Sequence, residues 1–321
     1  MALEPLTIRD NNSGAEARVL PGLGFNCFSF VVPVKSKSDA EEPKSLEVLW
    51  SSPDLLTGKA RPSGSGIPLM FPFAGRIRGA VYEFEGKKYQ LEAGDGQGNA
   101  IHGFVISRPW RVIKHESDRV VGQFQASVDD PTILPHWPAD FRITCEYRVE
   151  GNTLVGDYTI ENPDSTPLPF GFGTHAYFRL PLGGESAEDC VARVPASENW
   201  ELVKLLPTGR TTRSPEAAAL AKGMPARDMK FDHVFGGLSA ENHRTTTSVH
   251  DPISGHTVVQ TFDEQFPICV VYNPPHREAV CMEPYTTVPD AFTLATQGVK
   301  THLLVLAPGQ SFRTRIDIRL D

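Results

Sequence analysis

The sequence is short of cysteine and of long apolar runs. Its 321 residues include five cysteines, which are scattered and never form a CxxC pair (Cys27, Cys145, Cys190, Cys269 and Cys281). An odd, scattered set fits reduced thiols better than a disulfide framework. The polar, acidic first residues hold no stretch suited to a signal peptide, and no window approaches a membrane-spanning run. We therefore expect a cytoplasmic protein that does not bind membranes.

Several chemical signatures are also missing. There is no glycine-rich phosphate loop with lysine, no HExxH, no GxSxG and no zinc-type cysteine spacing. Asp232-His233 is one isolated pair and weak evidence for a metal. The net charge of −8 argues against nucleic acid as a partner. We expect no metal, no cofactor and no nucleic-acid partner.

The strongest positive pattern is alternation of apolar and polar residues with period two. It predicts two strands within 141–162 and a hairpin within 80–92, both turning at glycine. One short helix is predicted, at Pro215–Lys222. Further strands are predicted at 25–34, 46–51, 110–115, 119–126, 257–263, 268–273, 303–307 and 311–320. Many strands with almost no helix predict an all-β fold, a large antiparallel β-sandwich.

The chain shows no internal repeat and no convincing linker, so we expect a single domain over residues 1–321. The polar segment 35–43 is predicted to be a hairpin loop. The longest stretch without strand character is 208–227. Because long irregular segments in compact domains often serve function, we expect this one to border a site.

His175 is the first candidate for chemistry, within PFGFGTHAYF (169–178). The glycines allow close approach of a ligand, and Tyr177 and Phe178 offer apolar faces against which a ligand ring could pack. A histidine near its ordinary pKa can give a proton at neutral pH. The alternative is a histidine that only hydrogen-bonds within its loop.

Glu283 is the second candidate, within VCMEP (280–284). Because proline interrupts a strand ladder, Pro284 predicts that Glu283 lies at a strand end. Partial burial would raise the pKa of this carboxyl into the range useful for a base. The alternative is a strand-end acid paired with an arginine.

Other polar residues near glycine or apolar clusters are candidate ligand-binding groups. His102 stands beside glycine, where the alternative is a turn histidine bonded to backbone. Arg76 and Arg78 lie among small residues, and each could grip hydroxyls or form a surface ion pair. Asp232 could accept hydrogen bonds from ligand hydroxyls or cap a turn.

Taken together, the motifs resemble those of the aldose 1-epimerases, also called galactose mutarotases. The match runs from about residue 20 to near the C-terminus. Its elements, in chain order, are GRIRG (75–79), Gly86, Leu91, Asn99, His102-Gly103, the His-x-Tyr-Phe of 175–178, DHVF (232–235) and EPYTTVPDA (283–291). Their joint order makes the resemblance specific.

The resemblance implies that the chain interconverts the anomers of a hexose. His175 would be the general acid and Glu283 the general base, and Arg76, His102 and Asp232 would bind sugar hydroxyls. It also implies a large antiparallel sandwich with an open cleft on one curved sheet, and no cofactor. The partner would be a small-molecule sugar, and the protein would be a monomer or homodimer.

Some positions depart from the galactose-type pattern. Gly75 stands where asparagine is usual, Ala176 where threonine or serine is usual, and Arg179 where asparagine is frequent. The segment GSGIPLMFPF (64–73) resembles the hexose-6-phosphate mutarotases instead. Two alternatives therefore stay open: a sugar-phosphate mutarotase using Arg61, Arg78 or Arg179, and a non-catalytic carbohydrate-binding module on the same fold.

Overall fold

A computed structural model describes residues 3–34 and 44–321, so the predicted loop over 35–43 lies outside the described residues. The strands, in chain order, are β1 Leu6–Arg9, β2 Glu16–Leu20, β3 Asn26–Val34, β4 Lys44–Glu47, β5 Leu69–Met70, β6 Arg76–Ile77, β7 Val81–Phe84, β8 Lys87–Gln90, β9 Ala100–Ile101, β10 Arg111–His115, β11 Arg119–Gln125, β12 Arg142–Glu150, β13 Thr153–Glu161, β14 Leu168–Phe170, β15 Gly173–Thr174, β16 Tyr177–Arg179, β17 Val191–Arg193, β18 Glu198–Val203, β19 Leu206–Thr212, β20 Met224–Pro225, β21 Asp232–Gly236, β22 Arg244–His250, β23 Thr257–Asp263, β24 Ile268–Tyr272, β25 Ala279–Tyr285, β26 Leu304–Leu306 and β27 Ser311–Leu320.

Helices are few and short. The α-helices are α1 Ala126–Asp129, α2 Pro215–Lys222 and α3 Ala291–Thr296, and the 3-10 turns are Arg78–Ala80, Val105–Ser107, Pro131–His136, Ala187–Asp189 and Ala226–Asp228. The longest, α2, begins at a Ser214 cap whose hydroxyl accepts from the Ala217 N–H, and it has eight residues. Among the described residues, no helix has the length and apolar character needed to cross a bilayer.

Three sheets make up most of the molecule, and their strands pair antiparallel. The nine-stranded sheet has the order β10-β11-β12-β13-β27-β23-β22-β17-β20, and a four-stranded sheet the order β1-β2-β3-β4. The eight-stranded sheet has the order β19-β18-β21-β24-β25-β15-β5, with β16 also paired to β25. The predicted all-β antiparallel fold class is confirmed.

The nine-stranded sheet packs one face against the eight-stranded sheet. Its strands alternate buried and half-exposed residues, as in β12 and β23, because only one of their faces meets the core. Tyr158 of β13 contacts the ring of Phe172 at 4.9 Å, and the Gln260 side chain of β23 donates to the Met282 carbonyl of β25 at 3.1 Å. All seven residues of β25 are buried, so both faces of this strand are covered.

Most predicted strands are confirmed. The two strands within 141–162 are β12 and β13, the hairpin within 80–92 is β7 and β8, and the predicted helix is α2. The strand predicted at 46–51 instead ends at Glu47, and Leu49 makes only a single bridge, with Phe178.

The prediction that 208–227 lacks strand character is wrong. Residues 208–212 belong to β19, and β20 follows α2 within the same stretch. Because β19 is the edge of its sheet, its last three residues are exposed and polar and carry no apolar alternation. The residues of 208–227 also do not line the cavity described below, so they do not border it as expected.

Candidate active site

A cavity of about 310 Å³ opens over the eight-stranded sheet. It is lined by all five residues that the sequence predicts for the site, namely Arg76, His102, His175, Asp232 and Glu283. They come from β6, β21, β25 and two connecting loops, so the sheet topology brings together positions more than 200 residues apart.

Glu283 lies inside β25 and not at its end. It pairs with Val270 of β24, and the strand continues to Tyr285. Pro284 is tolerated there because β25 pairs with β15 at Tyr285 and with β16 only up to Cys281. Among the described residues no ladder partner faces Pro284 on that side, so its missing N–H breaks no ladder bond.

The Glu283 carboxyl is held by two neighbours. The Tyr285 hydroxyl donates to Oε2 at 2.7 Å, and Nε2 of His175 lies 3.3 Å from Oε1. Glu283 is 1% exposed, and this burial raises its pKa well above the ordinary range. Within the part of the chain that the structure describes, no arginine forms an ion pair with it, which removes the alternative of a structural arginine pair.

His175 occupies the link between β15 and β16, and its backbone N–H donates to the Pro68 carbonyl at 3.0 Å. Its ring stacks on Tyr177 with centroids 4.7 Å apart. Burial lowers the pKa of the imidazole. Nδ1 has no hydrogen-bond partner among the described residues, and Nε2 faces Glu283 on another strand, so the imidazole is not held by its own loop alone.

The two predicted aromatic faces differ in their surroundings. Tyr177 lines the cavity, but the face of its ring stacks on His175. Its hydroxyl donates to the Ser63 carbonyl at 2.9 Å. It therefore orients the imidazole. Phe178 is fully buried in the main hydrophobic core and does not line the cavity, because adjacent residues of β16 point to opposite faces.

The contact between His175 and Glu283 defines what the site can do with a proton. Burial disfavours the charged form of each group and therefore favours a neutral imidazole beside a protonated carboxyl. Transfer of that one proton across 3.3 Å gives the imidazolium–carboxylate pair with the same proton count. The pair can thus present an acid and a base side by side.

Arg76 is fixed in the cavity wall. Its Nε lies 3.3 Å from Oδ2 of Asp95, and its backbone pairs with Ile101 of β9. The preceding Gly75 has φ +69°, and a Cβ there would lie 2.7 Å from Pro289. Asparagine also adopts a left-handed backbone, so it is the close approach of Pro289 that leaves no room here for the asparagine usual in the resembled pattern.

His102 takes an uncommon backbone conformation for a side-chain-bearing residue, with φ 64°. Its backbone N–H donates to the Gly75 carbonyl at 2.9 Å, which links His102 to the segment that carries Arg76. The ring meets that of His175 edge-on at 5.6 Å, and its Nδ1 is buried without a partner among the described residues. Burial lowers its pKa, so a neutral ring can offer one donor and one acceptor.

Asp232 is the first residue of β21 and pairs with Tyr272 of β24, so it does not cap a turn as in the alternative. It is half-buried at the cavity wall. In the described part of the chain its carboxylate forms no ion pair, so its oxygens are open to ligand hydroxyls.

Sequence reasoning missed several lining groups. The sequence does contain a signal for Tyr285, since this residue stands two positions from Glu283 and therefore on the same face of the strand. Trp50 stacks on His276 at 4.0 Å and donates its indole N–H to Glu278, but these residues lie more than 220 positions apart and no local pattern links them.

The three arginines considered as phosphate ligands differ in their position relative to the cavity. Arg61 lines the cavity, and among the described residues it forms no ion pair. Arg78 donates to Asp290 at 3.0 Å and lies outside the cavity lining, as does Arg179.

One group of side chains has the donor types of a metal site. His175, Cys281 and Glu283 are all buried, and one ligand atom from each lies within 4.8 Å of the others. The sequence shows no such spacing, because Cys281 and Glu283 are only two residues apart while His175 comes from a different strand connection.

The family model for aldose 1-epimerase matches residues 34–319. An uncharacterized protein of Escherichia coli K12, YphB, is 22% identical over 292 residues, covering 86% of this chain and 92% of that protein.

Solved structures share the fold along the full chain. A galactose mutarotase-like protein from Clostridium acetobutylicum superposes with a TM-score of 0.84 at 19% identity, covering 100% of this chain and 99% of that one. A homologue of aldose epimerase from C. elegans gives 0.78 at 19% identity over 100% and 99%. Galactose 1-epimerase from Lactobacillus acidophilus gives 0.71 at 18% identity over 100% and 99%.

Proposed function

We propose that this chain, which belongs to the aldose 1-epimerase family, is an isomerase that interconverts the α and β anomers of a free hexose. The observation that carries the proposal is the buried contact of His175 with Glu283 in a cavity of sugar size. A hemiacetal places its hydroxyl and its ring oxygen on the same carbon. An acid and a base that are themselves neighbours suit that arrangement.

In the proposed mechanism Glu283 takes the proton of the anomeric hydroxyl while His175 protonates the ring oxygen. The bond from the anomeric carbon to the ring oxygen breaks, and the open-chain aldehyde forms. Rotation about the adjacent carbon–carbon bond exposes the other carbonyl face. Ring closure then returns both protons with the two side chains in exchanged roles, so no covalent intermediate is needed.

The remaining predicted residues would hold the sugar through its other hydroxyls. Arg76 supplies donors, the Asp232 carboxylate supplies acceptors, and neutral His102 supplies one of each. The stacked Trp50–His276 pair and Tyr272 add flat apolar surface to the same cavity, against which the C–H face of a pyranose could pack.

The direct test follows the optical rotation of freshly dissolved α-glucose and α-galactose with and without protein. We expect faster decay with the native chain, and loss of that acceleration in His175→Asn and Glu283→Gln. The matched controls are His243→Asn and Glu264→Gln, an exposed pair that lies outside the cavity. Full activity in both site variants would refute the assigned roles.

We also propose that the protein works in the cytoplasm on a small-molecule sugar, without a cofactor, as a monomer or homodimer. Tight sugar binding without any acceleration would instead support the carbohydrate-binding module. Equilibrium dialysis with the same sugars separates these outcomes.

A sugar phosphate is the second candidate substrate, favoured by Arg61 in the cavity wall without an ion-pair partner among the described residues. Glucose 6-phosphate would then compete with free glucose in the native chain. That competition should weaken in Arg61→Ala but persist in Arg210→Ala, an exposed arginine outside the cavity.

A further inference from the structure

Cys281 has no part in the proposed mechanism, yet it lies against the acid–base pair. It is fully buried, and its sulfur lies within 4.8 Å of ligand atoms of both His175 and Glu283. We propose that these three residues form a binding site for a thiophilic divalent cation, typically Zn²⁺. The bound cation would exclude the sugar from the cavity. The metal site stands on geometry alone, and only the exclusion of the sugar rests on the proposed function.

The backbone places the three donors on one side of the sheet. Cys281 and Glu283 are two residues apart on β25 and therefore share a face. Cys281 pairs with Tyr177 of β16, which directly follows the loop that carries His175. The strand pairing thus brings the imidazole beside both side chains of β25.

The distances fit a tetrahedral cation after a small adjustment. Zinc bonds of about 2.0–2.2 Å to nitrogen and oxygen imply an edge of about 3.4 Å between those ligands. Nε2 of His175 and Oε1 of Glu283 are 3.3 Å apart. A sulfur bond of about 2.3 Å implies edges near 3.6 Å. The Cys281 sulfur lies within 4.8 Å of a ligand atom of each of the other two residues, so each of these distances must shorten by about 1.2 Å at most.

The donor set selects the type of cation. One thiolate and one imidazole with a single carboxylate suit zinc and similar transition metals, whereas magnesium and calcium require mostly oxygen ligands. Three protein ligands leave a fourth position, which the cavity can supply with water. On binding, the Cys281 thiol and the protonated pair release their protons to solvent.

The supporting contacts are already present. The Tyr285 hydroxyl donates to Oε2 of Glu283 at 2.7 Å and leaves Oε1 facing the imidazole. Hydrogen bonds of this kind, from a neighbouring residue to a metal ligand, orient the ligand. Nδ1 of His175 is buried without a partner among the described residues, and Nε2 already faces Oε1 of Glu283.

A cation at this point would occupy the lone pairs that both catalytic groups need. Its inhibition should be competitive with the sugar, because the anomeric centre and the metal require the same space between His175 and Glu283. Raising the sugar concentration should restore the rate at fixed Zn²⁺.

The test is calorimetric titration of ZnCl₂ into the full chain, with Cys281→Ala, Glu283→Gln and Cys190→Ala beside it. We expect one Zn²⁺ per native chain. Zinc affinity should fall by more than about tenfold in the first two variants, since losing even a residue that only hydrogen-bonds to a metal ligand typically lowers metal affinity by about 10–100-fold. Cys190 is buried elsewhere and should behave as the native chain. Circular dichroism checks that each variant folds, and MgCl₂ should give no binding.

Native-like zinc affinity in Cys281→Ala, or equal loss in Cys190→Ala, would overturn the proposal. A rotation assay on the same samples distinguishes it from the proposed function. Site-specific zinc binding in a chain that accelerates no sugar refutes the function and keeps the metal site. Mutarotation that is insensitive to zinc, with no calorimetric binding, refutes the metal site alone.

Discussion

The two faces of β25 are equally buried but differ in chemistry. Val280 and Met282 belong to the main hydrophobic core, where the nine-stranded sheet covers them, whereas Cys281 and Glu283 stand on the face toward the cavity. Glu283 is 1% exposed and Met282 is fully buried. Burial on the core face stabilises the fold, whereas burial on the cavity face shifts the pKa values of polar groups.

This difference predicts that substitutions at adjacent positions separate activity from stability. The core face tolerates no loss of volume, because interiors are close-packed. The cavity face tolerates volume-conserving changes, because its neighbours include open space, but the proposed reaction depends on its charges.

The largest expected effect is on the rate of Glu283→Gln. The amide keeps the volume and can still accept from Tyr285, but it cannot take a proton. We expect kcat/KM for mutarotation to fall by roughly 10²–10⁴-fold, the usual contribution of general acid–base assistance. Polarimetry gives the rate, and urea unfolding should show a folded protein at least as stable as the native chain, because the amide carries no ionisation cost. A rate within twofold of native would contradict the role of base.

Met282→Ala should show the opposite behaviour one residue away. Removing a fully buried methionine from the core face leaves a cavity between the two large sheets, which typically costs about 2–5 kcal/mol in the free energy of unfolding. Urea denaturation measures this loss. Below the unfolding transition, KM and the pH profile should stay close to native, since the side chain does not line the cavity. Equal stability of this variant and the native chain would contradict the assigned faces.

Much of this arrangement was predictable from sequence, and the reasons are local. Alternation in 141–162 and 257–263 reports one buried face, so these strands were predicted. The edge strand β19 was missed because its last three residues are exposed and polar and carry no apolar alternation. Pro284 suggested a strand end because the sequence cannot reveal an interrupted ladder on one side of β25.

The residues of the site likewise divide into those that the sequence predicts and those that it does not. His175 and Glu283 were predicted from motif context, and the structure brings them into contact. Cys281 and Trp50 were not predicted, because their roles depend on strand pairings between distant segments. The single domain over 1–321 stays a prediction, although the main hydrophobic cluster takes residues from all three large sheets.

The pH dependence of stability should also differ between native chain and Glu283→Gln. Because burial raises the folded-state pKa of Glu283, the folded state keeps a proton that the unfolded state has lost, so stability falls as pH rises above the unfolded value. His175, whose folded pKa is lowered, opposes this only below about pH 6.5, its unfolded value. Because both proteins carry His175, its contribution cancels in the comparison. Above the unfolded pKa of Glu283, the native chain should lose up to about 1.4 kcal/mol per pH unit relative to the variant until the folded carboxyl ionises.

Urea midpoints of both proteins at several pH values from 4.5 upward measure this difference. Glu264→Gln is the control, because that side chain is exposed and does not line the cavity. Parallel curves for the native chain and Glu283→Gln over this whole range would mean that the buried carboxyl ionises at its unfolded pKa. In that case burial on the cavity face would not shift its pKa as proposed.

The smallest expected effect comes from Tyr285→Phe, which removes the 2.7 Å hydrogen bond to Glu283 without changing the ring. The hydroxyl stabilises the carboxylate, so its loss should raise the pKa of Glu283 further. The alkaline limb of kcat/KM should move to higher pH by up to about one unit, as a net hydrogen bond of about 0.5–1.5 kcal/mol implies. Tyr89→Phe, in the hairpin of β7 and β8, should leave that limb in place. A limb that stays fixed in Tyr285→Phe while the plateau rate falls would assign this tyrosine to packing and not to the electrostatics of the base.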